Sequence, residues 1–252
     1  MIPKTFKIEV CANSLQSAIN AQKGGADRVE LCDNLYEGGT TPSAATIQLA
    51  QQKLQLDIFV MIRPRGGDFC YTDLEFDIMK MDIEFCKRAG IAGVVLGILQ
   101  LDGTVDFVRT RTLVQLAAPM KVTFHRAIDM TAHPLQALET VIATGCHGIL
   151  TSGQQNKAIH GIALLEKMVE QAADRIDIMV GSGVNAKNAQ HFAAIGIRSF
   201  HLSGQVFQES VMQFRNPAIA MGGLTGIPEY GRKVTSIDKI AALKTTLNRF
   251  ML

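Results

Sequence analysis

The sequence predicts an α/β fold, a single (β/α)8 TIM barrel, on three observations. Short β-rich runs alternate with helical patterns eight times; the 252-residue length suits one such barrel; and polar side chains recur at the carboxyl ends of the strands. The units run in order as "FKIEVCA" with "SLQSAINAQKGG", "DRVELC" with "SAATIQLAQQKL", and "DIFVMIRP" with "LEFDIMKMDIEFCKRAG". "GVVLGIL" with "DFVRTRTLVQLA", "KVTFHRA" with "PLQALETVIATG", "HGILTSG" with "GIALLEKMVEQAA" and "IDIMVGS" with "AKNAQHFAAIG" follow. "SFHLSG" and the final helix "IDKIAALKTTLNRF" close the set. No linker or composition shift marks a boundary, so residues 1–252 are expected to form one domain. One connection departs from the pattern: the long insertion at 205–234, between strand 8 and the last helix, where a short helix is expected near Glu209 to Phe214.

Composition excludes several classes of function. A net charge of +2, no Trp and 6% aromatic residues offer neither a basic stripe nor a stacking surface, so no nucleic-acid partner is expected. The longest apolar run, "AGIAGVVLGIL", is shorter than the roughly 18 residues of a membrane span, and the first residues carry no apolar leader pattern. No membrane partner is expected, and the cytoplasm is the expected location. Five cysteines, odd in number and without C-x-x-C spacing, suit reduced thiols rather than a disulfide framework.

Alternation along each strand decides which side chains enter the barrel. Residues i and i+2 share a face, and the outer face packs on helices and is apolar. Ile8 and Val10 therefore face out, leaving Glu9 and Cys11 inside; Val29 and Leu31 face out, leaving Glu30 and Cys32 inside. The same test turns Arg63, His125, His201 and Ser203 inward, all toward the end where barrel enzymes carry their sites. Each alone has a plainer reading, as core filling for a cysteine or a buried ion pair for a glutamate. Convergence of so many on one open end favours a shared pocket.

Loops extend the set. "MIRPRGGDFCY" places Arg63 and Arg65 in a cationic rim suited to carboxylate or phosphate. "ILTSG" contributes Ser152, "VGSGV" contributes Gly181 and Gly183, and Ser203 ends strand 8; loops after strands 7 and 8 of a barrel commonly bind anions through backbone N–H groups. Glu9 and His201 complete the expected anion-binding group. For an enzyme acting on a small anionic or phosphorylated substrate, Glu30 or His125 would move protons and Asp129 would orient the site, and no organic cofactor is expected. No G-x-S-x-G elbow appears, and no lysine sits at an inward strand end.

Seven segments, "EVCA", "GGADRVELC", "EGGTTPS", "MIRPRGGDFCY", "VTFHRAID", "ILTSG" and "FRNPAIAMG", together resemble the CutC copper homeostasis family from the first strand into the late insertion. The resemblance implies a cytoplasmic single-domain barrel, often a homo-oligomer (dimer or tetramer), with a Cu(I) site at Cys11 and Cys32. The chemistry agrees: thiolates are soft donors that favour Cu(I), and adjacent strands lie about 4.8 Å apart. Cys70 and Cys146 have no part in that arrangement. Two readings stand at this point, a Cu(I)-binding protein and a barrel enzyme.

Overall fold

The computed structural model describes residues 5–219, 221 and 227–250. Strands β1 (Lys7–Ala12), β2 (Arg28–Leu31), β3 (Asp57–Met61), β4 (Gly93–Leu96), β5 (Lys121–Phe124), β6 (Gly148–Thr151), β7 (Asp177–Val180) and β8 (Ser199–Leu202) pair in sequence order, and β8 closes on β1. All eight pairings are parallel. Helices α1 (Leu15–Lys23), α2 (Ala44–Lys53), α3 (Asp73–Arg88), α4 (Phe107–Ala117), α5 (Pro134–Thr144), α6 (Ile162–Ala172) and α7 (Ala189–Ala194) form the return connections. This is the expected (β/α)8 barrel.

Local chemistry explains the helix boundaries. Ser14, Ser43 and Asp106 each accept an N–H of the first turn of α1, α2 and α4. At α3, Thr72 and Glu75 form a reciprocal capping box, and Lys87 and Arg88 lie in the last turn, where the helix dipole favours cations.

The apolar core lies between sheet and helices. Ile8, Val10, Val29, Leu31, Val60 and Phe124 are buried there, as the alternation required. The barrel interior holds a smaller cluster of Cys11, Cys32, Phe59, Met61 and Val95, with polar side chains above and below it.

The late insertion differs from expectation. Instead of a helix near Glu209 to Phe214, strand β9 (Gln205–Glu209) pairs antiparallel with β10 (Gly231–Thr235), and 210–216 is irregular. The run "QVFQE" suits a strand through Val206 and Phe207, and Gly231 leaves room for the Phe207 ring, which a Cβ would meet at 2.1 Å. Part of the insertion lies outside the described residues. The hairpin is anchored on α1, where Ser17 Oγ accepts the Thr235 N–H at 3.2 Å and Asn20 Nδ2 donates to the Thr235 carbonyl at 2.9 Å. Helix α8 (Ile237–Phe250) follows directly.

Candidate functional site

Register sets how the two thiols meet. Cys11 on β1 stands opposite Glu30 on β2, so Cys32 lies two residues further along and reaches Cys11 on a diagonal. The parallel placement read from the matching sequence motifs is thus offset by one inward layer. The sulfurs are nonetheless 3.4 Å apart. The Cys11 thiol is pushed well above its ordinary pKa by its hydrogen bond with Cys32, by burial and by the neighbouring Glu30. A cation arriving there would have to displace that proton.

Beneath the thiols lies a buried charge network. Glu9 is fully buried, with Arg28 Nε donating to its Oε2 at 2.5 Å and His201 Nδ1 2.8 Å from its Oε1. Burial raises the Glu9 pKa, but Arg28 and His201 together outweigh it and hold the carboxyl below its usual value. Glu30, opposite, is raised by burial against the pull of His201, whose Nε2 lies 3.7 Å from Glu30 Oε2. His201 is itself raised, because the two carboxylates overcome its desolvation. Arg28 also covers the Phe59 ring at 4.0 Å and closes the floor of the barrel. The sequence reading omitted Arg28, although the alternation that turned Glu30 inward turns Arg28 inward too.

Above this floor opens a cavity of about 560 Å³ lined by Cys11, Glu30, Arg63, His125, Asp129, Gly183, His201 and Ser203, among others. Arg63 is held by three carbonyls, with Nη1 donating to Glu37 and Gly39 and Nη2 to Gly67. His125 Nδ1 accepts the Ala127 N–H at 3.2 Å, while Nε2 is buried without a partner among the described residues. Burial, aided by Arg63, lowers the His125 pKa to about 3, so the ring is neutral. Gly97 makes room for it: a Cβ there would lie 2.5 Å from His125 Nδ1.

Five expected site residues lie away from the cavity wall. Glu9 and Cys32 sit behind it. Arg65 turns aside to Glu75 at 2.6 Å and Asp68 at 3.1 Å, and its guanidinium lies over Tyr71. The Gly181 N–H is bonded to the Thr151 carbonyl. Ser152 is buried, its N–H and hydroxyl both donating to Asp129. Asp129 also accepts from Thr151, Gln154 and Arg126 and makes no hydrogen bond to His125 among the described residues. It ties the loop after β5 to the loop after β6. Arg126, which also lines the cavity, was not anticipated; Ser182, from the glycine-rich loop after β7, lines it too and takes a left-handed φ of +77°.

Two groups of side chains have metal-binding proximity, Cys11 with Glu30 and Cys32, and Glu9 with Glu30 and His201, the ligand atoms of each group lying within 4.8 Å of one another. The fold and this site define a class: a (β/α)8 barrel with a soft-donor pair and a charged pocket at the carboxyl end of its strands. Within that class the chain belongs to the CutC family, whose model matches residues 6–206. It is 49% identical over 243 residues to a CutC family protein of Chromobacterium violaceum, covering 96% of this chain and 98% of that one. It is 45% identical over 239 residues to the human protein named copper homeostasis protein cutC homolog, covering 94% of this chain and 88% of that one. A crystal structure of CutC from Streptococcus agalactiae superposes with a TM-score of 0.75 at 36% identity, covering 79% of this chain and 99% of that one. No described helix is long and apolar enough to cross a membrane.

Proposed function

We propose that this chain takes part in copper homeostasis by binding Cu(I) between Cys11 and Cys32, with Glu30 beside them. The observation that carries this is the 3.4 Å approach of two reduced sulfurs, Cys11 in the lining of the open cavity and Cys32 directly behind it. Two thiolates are a soft donor pair of the kind Cu(I) prefers, and a Zn(II) site would need a third or fourth ligand in tetrahedral array. The name of the human relative supports the same role. All five cysteines are free, which suits a reducing cytoplasm. We further read the chain as one domain and as a homo-oligomer, with exposed Phe207, Met212 and Phe214 on and beside the hairpin as apolar surface for assembly.

The test is titration of Cu(I) against a competing chelator. Cys11→Ser or Cys32→Ser should remove most of the affinity, and Cys86→Ser or Cys146→Ser should leave it. Copper binding that survives the Cys11/Cys32 double replacement would overturn the assignment.

A second reading, an enzyme acting on a small anionic substrate, is favoured by the cavity above the thiols. Arg63, Arg126 and the unpartnered His125 Nε2 belong to its lining, and buried polar groups without partners are rare enough to call for an explanation.

A further inference from the structure

His125 brings a buried, unpartnered ring nitrogen to the wall of the cavity. Its ring is 3% exposed, and the contacts on two sides are fixed by neighbours whose roles are apparent. Nδ1 is committed as an acceptor to the Ala127 N–H, so the neutral ring carries its proton on Nε2. Gly97 packs against the Nδ1 side and Phe69 lies against the ring, with centroids 5.0 Å apart. Phe69 in turn carries the Arg63 guanidinium at 5.0 Å. Nε2 is left as a buried N–H donor with nothing to donate to among the described residues.

No described residue accepts from it: the carboxylates of Glu30, Glu37 and Asp129 also border the cavity, and Glu30 Oε1 is itself buried without a partner, but none of them bonds to Nε2, and unspent donors lie in the same lining. Arg63 spends its terminal nitrogens on carbonyls and so presents a fixed positive charge rather than a free fork. The N–H groups of Gly183 and Gly204, both in the lining, make no hydrogen bond to another described residue. Gly183 has φ of +77°, a conformation that a side chain would strain.

We propose that the cavity binds a small oxyanion, a carboxylate or phosphate, with His125 acting as an uncharged hydrogen-bond donor through Nε2 and not as a general base. This rests on the small-anion reading of the cavity and names the group that recognises the ligand. A general base needs an unprotonated nitrogen facing the ligand, and the one such nitrogen on this ring already accepts from Ala127. The ligand supplies the missing acceptor, and Arg63 supplies the countercharge.

The experiment uses the copper-free full chain with oxalate and inorganic phosphate as probes, followed by calorimetry and by 15N NMR of the histidine rings. His125→Asn is the informative variant, since the Asn carbonyl can keep the Ala127 N–H satisfied while withdrawing the donor. For at least one probe, binding to His125→Asn should be roughly tenfold weaker, the value of one hydrogen bond to a charged partner. In the wild type, that probe should shift the His125 Nε2 proton and leave Nδ1 unprotonated. If the wild type binds neither probe, the small-anion reading falls and this inference with it. If a probe binds but neither the variant nor the Nε2 resonance responds, the small-anion reading stands and the role given to His125 is overturned. A ring with its proton on Nδ1 would overturn it as well.

Discussion

Arg28 and Glu9 meet at 2.5 Å in the floor of the barrel, on adjacent strands and at the same register position, where the carboxylate has no contact with solvent. The pair orders the network above it, because the other oxygen of Glu9 engages His201. Arg28→Met would leave a buried carboxylate with one partner, a loss of about 3–5 kcal/mol by comparison with other broken buried pairs. Urea unfolding should show a lowered midpoint, and Glu9→Gln combined with Arg28→Met should recover part of it.

Gly97→Ala should disturb the site from behind the cavity wall, since Gly97 is not in the lining but His125 is. The added Cβ would meet His125 Nδ1 at 2.5 Å and Cε1 at 2.6 Å, so the ring must move off the Ala127 N–H. A cost of about 1–3 kcal/mol is expected from overpacking, together with a changed His125 resonance. An unchanged His125 spectrum in a stable variant would contradict this packing.

His125 also has a signature in acid. Its folded pKa is lowered to about 3, below the unfolded value of 6.5. Below pH 6.5 the unfolded chain takes up a proton that the folded chain refuses. The associated stability is therefore present above pH 6.5 and is lost as the pH falls toward 3, by up to about 1.4 kcal/mol per pH unit. His125→Asn lacks this contribution, so its stability should fall less steeply over that window; parallel curves would refute the buried neutral ring.

Thiol chemistry should report burial directly. Cys70 is half-buried, and Cys11, Cys32, Cys86 and Cys146 are buried. Burial pushes Cys86 up to about 12 and Cys146 to about 11. An aromatic disulfide reagent should therefore titrate one thiol per native chain and all five in denaturant. Rapid reaction of two or more native thiols would show that the barrel interior is open to the reagent.

The barrel was legible in the sequence because its signal repeats: strand–helix alternation and an apolar outer face recur in unit after unit. Alternation also turned Glu9, Cys11, Glu30, Cys32, His125 and His201 inward correctly. What alternation cannot supply is register between strands, which places Cys11 opposite Glu30 rather than Cys32. Nor can it show who takes each charge: Arg65 is drawn to Asp68 and Glu75, and Asp129 to the N–H groups of Ser152 and Gln154. Those contacts depend on loop conformation. The hairpin was missed for a related reason, since its two strands are separated by a stretch with no periodic pattern and find each other only in three dimensions.

The three carbonyls on Arg63 come from two loops, Glu37 and Gly39 after β2 and Gly67 after β3. One guanidinium therefore acts as a rivet across that half of the rim, and the two loops must yield together or not at all. The opposite half, built from Ser182, Gly183, Ser203 and Gly204, adjoins the hairpin that begins at Gln205. A change in aperture to fit ligands of different size is mechanically cheaper on that side, so divergence in what related barrels accept should be written into the hairpin and its approach rather than into the arginine loop.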